Sequence, residues 1–220
     1  MNPKFESLLD AGTAVIADVF DSFGRAPLVL DTNLFAVKGP EPGSLVPHTR
    51  FPGSPSVGPA AAIGPNSAPS MRCPPGVVPM WAGNDIRGVC CFGDLLATAM
   101  LARGCAGVVV DGGVRDLAFL RGIEMPVVAR YRASAQAIGR WKVAASQIPV
   151  RVRGALEDLV TVMPGDIVVA DDDGVIIVPA DDLDNVHGRV VAWAQTESGA
   201  RADIRSGLPL LTALEKYGHL

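Results

Sequence analysis

Two spacings of apolar residues divide this chain into helices and strands. Residues 3 to 24 carry the helical spacing. Phe5, Leu8 and Leu9 form one group, and a second, beginning near Thr13, holds Val15, Ile16, Val19 and Phe20 before Gly24 stops it. Residues 25 to 56 are rich in Pro, Gly, Ser and Asn, which points to a long, partly irregular connection with room for an edge strand near Leu28-Val29-Leu30. Short apolar runs follow at Gly58–Ile63, Val77–Trp81 and Ile86–Phe92, the first two separated by a breaker-rich loop from Gly64 to Gly76. Pro79 marks the Val77–Trp81 run as an edge or irregular strand.

The middle of the chain alternates the two spacings. Gly93-Asp-Leu-Leu-Ala-Thr-Ala-Met-Leu-Ala-Arg103 has an Asp at its start and Arg103-Gly104 at its end, and apolar residues nearly all the way round, the pattern of a buried helix. It leads into a strand at Val108–Val110, a glycine-hinged turn at Asp111-Gly112-Gly113, a helix from near Arg115 and a strand at Pro126–Ala129. Such β-α-β alternation favours a parallel or mixed sheet with helices over it. From Pro149 the period shortens to strands at 149–152, 159–162, 166–170 and 175–178, joined in part by Met163-Pro-Gly-Asp166 and by an Asp171-Asp-Asp-Gly174 hairpin turn. A helix over 180–198 and a pair of short helical segments over 199–216 close the chain. One domain over residues 1–220, with a C-terminal helical segment from about 180 to 220, accounts for the whole pattern.

Composition narrows the function classes. With 49% hydrophobic and only 5% aromatic residues, the core is built from Val, Leu, Ile and Ala. A net charge of -4 argues against nucleic-acid binding, which calls for a basic stripe. No apolar run reaches the roughly 18 residues of a membrane span, and the N-terminus lacks the order of a signal peptide. Cys73, Cys90, Cys91 and Cys105 show no CxxC spacing, so free thiols in a cytoplasmic protein are expected. His48 stands without a nearby Cys or His and receives no role.

Chemistry concentrates in two places. Gly93 would let a ligand approach the first turn of its helix, where the N–H groups of Leu95 and Leu96 offer an anion site. Arg115 and Asp116 fall just past the end of a buried strand, where open α/β sheets bind ligands. Such a pair is open to a plain reading too, as a helix cap with a solvated Arg. Neither GxGxxG nor Walker A is present, and no Ser or Cys stands in a nucleophile elbow.

Twenty residues separate Asp94 from Arg115-Asp116, giving Asp-x20-Arg-Asp. Together with Gly93-Asp-Leu-Leu-Ala, Gly107-Val-Val-Val-Asp-Gly and Gly165-Asp-Ile-Val-Val-Ala-Asp-Asp-Asp-Gly-Val, this resembles the RraA-like family, most clearly from about Val57 to Pro179. Residues 25 to 56 do not resemble it closely. The family includes class II, metal-dependent pyruvate aldolases that cleave 4-hydroxy-4-methyl-2-oxoglutarate and 4-carboxy-4-hydroxy-2-oxoadipate, and the regulators of ribonuclease activity A.

The resemblance implies a layered α/β/α sandwich related to the phosphohistidine-swivelling fold, with a mixed sheet and C-terminal helices, assembled as homotrimers or homohexamers. It implies Mg²⁺ or Mn²⁺ held by Asp116, and a small oxo-acid substrate whose carboxylate is taken by the amides of Leu95 and Leu96 beside Gly93. Arg115 would stabilise the enolate oxygen, and Asp94 would orient a water for proton transfer. Glu197 corresponds by approximate position to an acid lent by a neighbouring subunit; an exposed helix carboxylate explains it equally. Oxaloacetate decarboxylation at the same site, or regulation of a ribonuclease without catalysis, are the alternatives to aldol cleavage.

Overall fold

The strands foreseen from the apolar runs converge on one nine-stranded mixed sheet. The computed structural model describes residues 3–37, 56–62 (backbone only), 75–84, 86–143 and 145–218. His48 and Cys73 lie outside them. The strands are β1 (Leu28–Val29), β2 (Phe35–Ala36), β3 (Ser56–Ala62), β4 (Val78–Ala82), β5 (Cys90–Phe92), β6 (Val108–Val114), β7 (Val127–Arg132), β10 (Ile167–Ala170) and β11 (Val175–Val178), with β8 (Val150–Arg153) and β9 (Leu159–Val162) paired separately. The order across the sheet is β1-β11-β10-β3-β4-β6-β7-β2, with β5 on β6. Strands β3, β4, β6 and β7 run parallel to one another, and the β10–β11 end is antiparallel.

Alternation along the strands fixes the layers. Trp81, Val108, Val110, Val127 and Ala129 pack with Ala97 and Met100 of α2 (Asp94–Leu101) and with Leu120 of α3 (Leu117–Gly122). Ile167, Val169, Ile176 and Val178 pack against α1 (Pro3–Ser22) and α4 (Leu183–Arg205). The intervening positions, Val78, Met80, Val109, Val168, Val175 and Ile177, meet Val152, Val160 and Val162 of the β8–β9 hairpin. Because Val168 pairs with Gly58, and Ala60 with Val78, these positions share one face of the sheet. The mixed sheet with helices is therefore present, its layers running helices, sheet, hairpin.

Four local expectations change. Strand β4 is interior, between β3 and β6, despite Pro79; burial of Val78, Met80 and Trp81 outweighs the one ladder N–H the proline lacks. Helix α2 buries only Ala97 and Met100 and leaves Leu95 79% exposed, since it lies on the sheet by one face. The Ile86–Phe92 run is extended only over β5. Helix α4 continues to Arg205 without a break and is followed by the single helix α5 (Leu210–Tyr217).

Helix α1 kinks where its two apolar groups meet: Gly12 has φ 84° and ψ 169°. The second half is capped from across the sheet, Asp171 accepting from Thr13 N and Thr13 Oγ1 at 2.7 Å each. Asp171–Gly174 is the hairpin turn expected, closed by Asp171 N donating to Gly174 O at 3.0 Å. Cys90, Cys91 and Cys105 are buried free thiols. Among the described residues, no helix is long and apolar enough to cross a membrane.

Candidate active site

The stretch expected to turn at Asp111-Gly112-Gly113 stays in strand β6 to Val114, buried throughout. Flanking strands on both sides override the local turn chemistry. Glycines are needed there because a Cβ on Gly113 would stand 2.4 Å from Val89 O, and one on Gly112 3.1 Å from Cys91 Sγ. Asp111 is thus no turn residue. Its carboxylate accepts from Arg130 Nε at 2.5 Å, and Arg130 Nη1 donates to Asp31 at 2.5 Å.

Arg115 and Asp116 follow directly, at the carboxyl end of β6. Arg115 N donates to Phe92 O of β5 at 3.1 Å, which docks the corner onto the segment entering α2. Asp116 occupies the N-cap position of α3 in the left-handed conformation, φ 59° and ψ 38°, uncommon outside glycine. It makes no side-chain cap bond there. Its carboxylate turns instead to the start of α2, where Oδ2 accepts from Asp94 N at 3.3 Å and lies 3.4 Å from Arg115 Nε. Capping of its own helix, α3, therefore does not account for Asp116; the carboxylate meets the first N–H of α2 instead.

Gly93 is fixed by the same contact. A Cβ there would fall 2.6 Å from Asp116 Oδ2 and 3.3 Å from Arg115 Cγ, so any side chain would push the acid away from the helix start. Leu95 N donates to Asp94 Oδ1 at 2.7 Å, so this amide already binds a carboxylate oxygen. Gly93, Asp94, Leu95, Leu96 and Arg115 line one cleft of about 210 Å³. Its remaining walls are Cys90, Cys91, Phe92, Gln136, Ala137 and Ile138.

Those walls were missed in the sequence. Gln136–Ile138 sit in a loop without regular pattern, and the cysteines gave no ligand spacing. Burial raises the Cys90 thiol above its ordinary value and pushes Cys91 up to about 11, so both are protonated at neutral pH.

Glu197 lies on α4, paired with Arg201 one turn away and outside the cleft of its own chain. Among the described residues, no three His, Cys, Asp or Glu side chains converge on a point where they could cage a metal. The donor set fits a different type of site. A single carboxylate, 36% exposed and with one oxygen turned to backbone, suits a hard cation that keeps most of its waters.

A second, larger recess of about 380 Å³ opens beside Arg130 and Tyr131, lined also by Asp31, Asn33, Arg87 and Arg153. Tyr131 Oη donates to Ile86 O at 2.7 Å and to Val89 O at 3.2 Å, holding the approach to β5.

Known proteins resemble this chain to different extents. Protein DlpA of Legionella pneumophila is 36% identical over 126 residues, 57% of this chain but 20% of its own length. A putative 4-hydroxy-4-methyl-2-oxoglutarate aldolase of Halalkalibacterium halodurans is 29% identical over 139 residues, 61% of this chain and 63% of its own. The chain thus spans less than two thirds of either relative. A crystal structure of an uncharacterized protein from Pseudomonas syringae pv. tomato superposes with a TM-score of 0.76 at 27% identity, covering 94% of this chain and 96% of that one. Residues 13–177, which carry both sides of the cleft, match the family described as "RraA-like: Aldolase/RraA", and the chain belongs to that RraA-like family.

Proposed function

We propose that this chain is a divalent-metal-dependent carbon–carbon lyase that cleaves a 4-hydroxy-2-oxo diacid, of the 4-hydroxy-4-methyl-2-oxoglutarate type, into pyruvate and a second oxo acid. The observation that carries this reading is the meeting of Arg115 and Asp116 with the amide-lined start of α2, packed so closely that residue 93 has no room for a side chain.

Each residue has a task that its position supports. The substrate carboxylate takes the Leu95 N–H now held by Asp94 Oδ1, assisted by Leu96 N–H. That exchange frees the Asp94 carboxylate for the reacting carbons. Asp94 then accepts the C4 hydroxyl proton through one water while the C3–C4 bond breaks and its electron pair moves toward the C2 oxygen. Arg115 places its guanidinium at that oxygen as negative charge builds, an effect worth about 10²–10³ in rate. Returning the proton to C3 completes pyruvate, and the C4 fragment leaves as the second oxo acid.

Asp116 is the residue that would hold Mg²⁺ or Mn²⁺, and such a cation would supply Lewis acidity to the developing enolate. No lysine is required, and Lys4, Lys142 and Lys216 all lie outside the cleft. Glu197 belongs to this reading as an acid delivered by a neighbouring subunit of a trimer or hexamer.

Pyruvate release from such a diacid, and from oxaloacetate, measured with Mg²⁺ and with EDTA, tests the proposal. Turnover should need the metal, and Asp116→Ala should abolish it while the far-UV spectrum is retained. Absent turnover on both substrates would overturn it and leave the non-catalytic, ribonuclease-binding reading, whereas EDTA-resistant turnover would overturn the metal dependence. Turnover on oxaloacetate alone would replace aldol cleavage by decarboxylation at the same site.

A further inference from the structure

We propose that Arg130 is a positioning residue for the Arg115–Asp116 corner, acting through Asp111. Strand β6 is irregular where the two side chains meet. Its pairing with β7 runs Val110 to Ala129 and resumes at Gly113 with Tyr131, three steps on β6 against two on β7. Asp111 and Gly112 therefore contain one extra residue, a bulge, and Arg130 is the residue of β7 that faces it.

A bulge of one residue reverses which face every later side chain points to. The direction in which Arg115 and Asp116 leave the sheet is thus set by whether this bulge is kept. Backbone contacts hold it from one side, Gly83 N donating to Asp111 O at 2.9 Å so closely that a Cβ on Gly83 would lie 2.1 Å from that oxygen. Arg130 adds a side-chain hold. Its guanidinium bridges Asp111, whose side chain is 7% exposed, and Asp31 of the β1–β2 connection, 13% exposed. Two nearly buried carboxylates on one planar fork give a geometry that a lysine ammonium does not reproduce.

None of these three side chains is a wall of the cleft at Gly93, and the backbone of β6 is what connects the group to Arg115 and Asp116. The catalytic consequence rests on the lyase reading given above; the structural one does not.

Arg130→Lys tests it, with Val190→Ala as a control that loosens the α1–α4 layer at a fully buried position remote from the bulge. Arg130→Lys should remain folded and shift the amide resonances of Gly93, Asp94, Leu95 and Asp116. It should lower kcat for pyruvate release by about 10²-fold with KM changed by less than about threefold. Val190→Ala should lower the Tm and change neither the resonances nor kcat. Unmoved amides in Arg130→Lys, or equal movement in Val190→Ala, would overturn the proposal. If the parent protein releases no pyruvate, the lyase reading fails and the amide comparison alone decides. If Arg130→Lys does not fold, Asp111→Asn, which keeps the side-chain shape, is judged by the same resonances.

Discussion

The chain writes nearly the same phrase twice, Val-Val-Val-Asp111-Gly-Gly and Val-Val-Ala-Asp171-Asp-Asp-Gly174, and folds the two copies differently. In β6 the strand runs on through the glycines, and Asp111 is buried against Arg130. After β10 the chain reverses, and Asp171 reaches across to cap α1 at Thr13. Both carry turn-forming residues. What differs is the neighbourhood: β6 is flanked by β4, β5 and β7, whose ladders reward continuation, whereas β10 is joined at once to its antiparallel partner β11. One Asp-Gly segment leads into the Arg115–Asp116 corner and the other is a structural tie.

If that division is right, Gly93→Ala should damage only the first. The added Cβ, 2.6 Å from Asp116 Oδ2, must displace the carboxylate from the start of α2. A displacement of this size should cost about 10²-fold in pyruvate release, while thermal unfolding stays close to that of the parent. A Gly93→Ala protein that retains full turnover would show that the packing of Asp116 on the helix start is irrelevant to activity.

Asp171→Ala is the matching cut in the second region and should have a smaller, purely structural effect. It removes both bonds to Thr13 at the Gly12 kink, so the second half of α1 loses its cap, at a cost of about 1–2 kcal/mol. For a chain of this size that corresponds to a fall in Tm of about 2–4 °C per kcal/mol. The rate of pyruvate release should be unchanged. Reduced activity at unchanged Tm would mean that the acidic turn has chemistry of its own.

The two copies also show what could be read from the chain. Period and punctuation were enough for the 171–174 hairpin turn, the two apolar groups of α1 and the β-α-β middle, because each depends on residues close in sequence; the joining of Gly93–Leu96 with Arg115–Asp116 came from the family resemblance. The continuation of β6 was hidden, since it depends on strands supplied by distant segments. Arg130 carried no signal either: it lies 99 residues from Asp31 and 19 from Asp111, and only the fold brings the three together. The exposed face of α2 was hidden for a related reason, because an all-round apolar helix does not state how many of its faces the rest of the chain will cover.

Alkaline pH offers the mildest way to separate the two regions. The thiols among the described residues, Cys90, Cys91 and Cys105, are all on the β5–β6–α2 side, and burial holds the Cys91 pKa at about 11 against an ordinary value of 9.0. A raised folded-state value means that the folded protein keeps this proton after the unfolded chain has lost it. The unfolded state then binds fewer protons, so stability falls as pH rises. The contribution of Cys91 should be fully present below pH 9.0 and drain away toward about 11. Thermal unfolding of the parent and of Cys91→Ala, followed across this window, isolates the effect from other alkaline titrations. The difference in Tm between the two proteins should shrink steadily with pH; a constant difference would show that the thiol ionises equally in both states and that β5 is open to solvent.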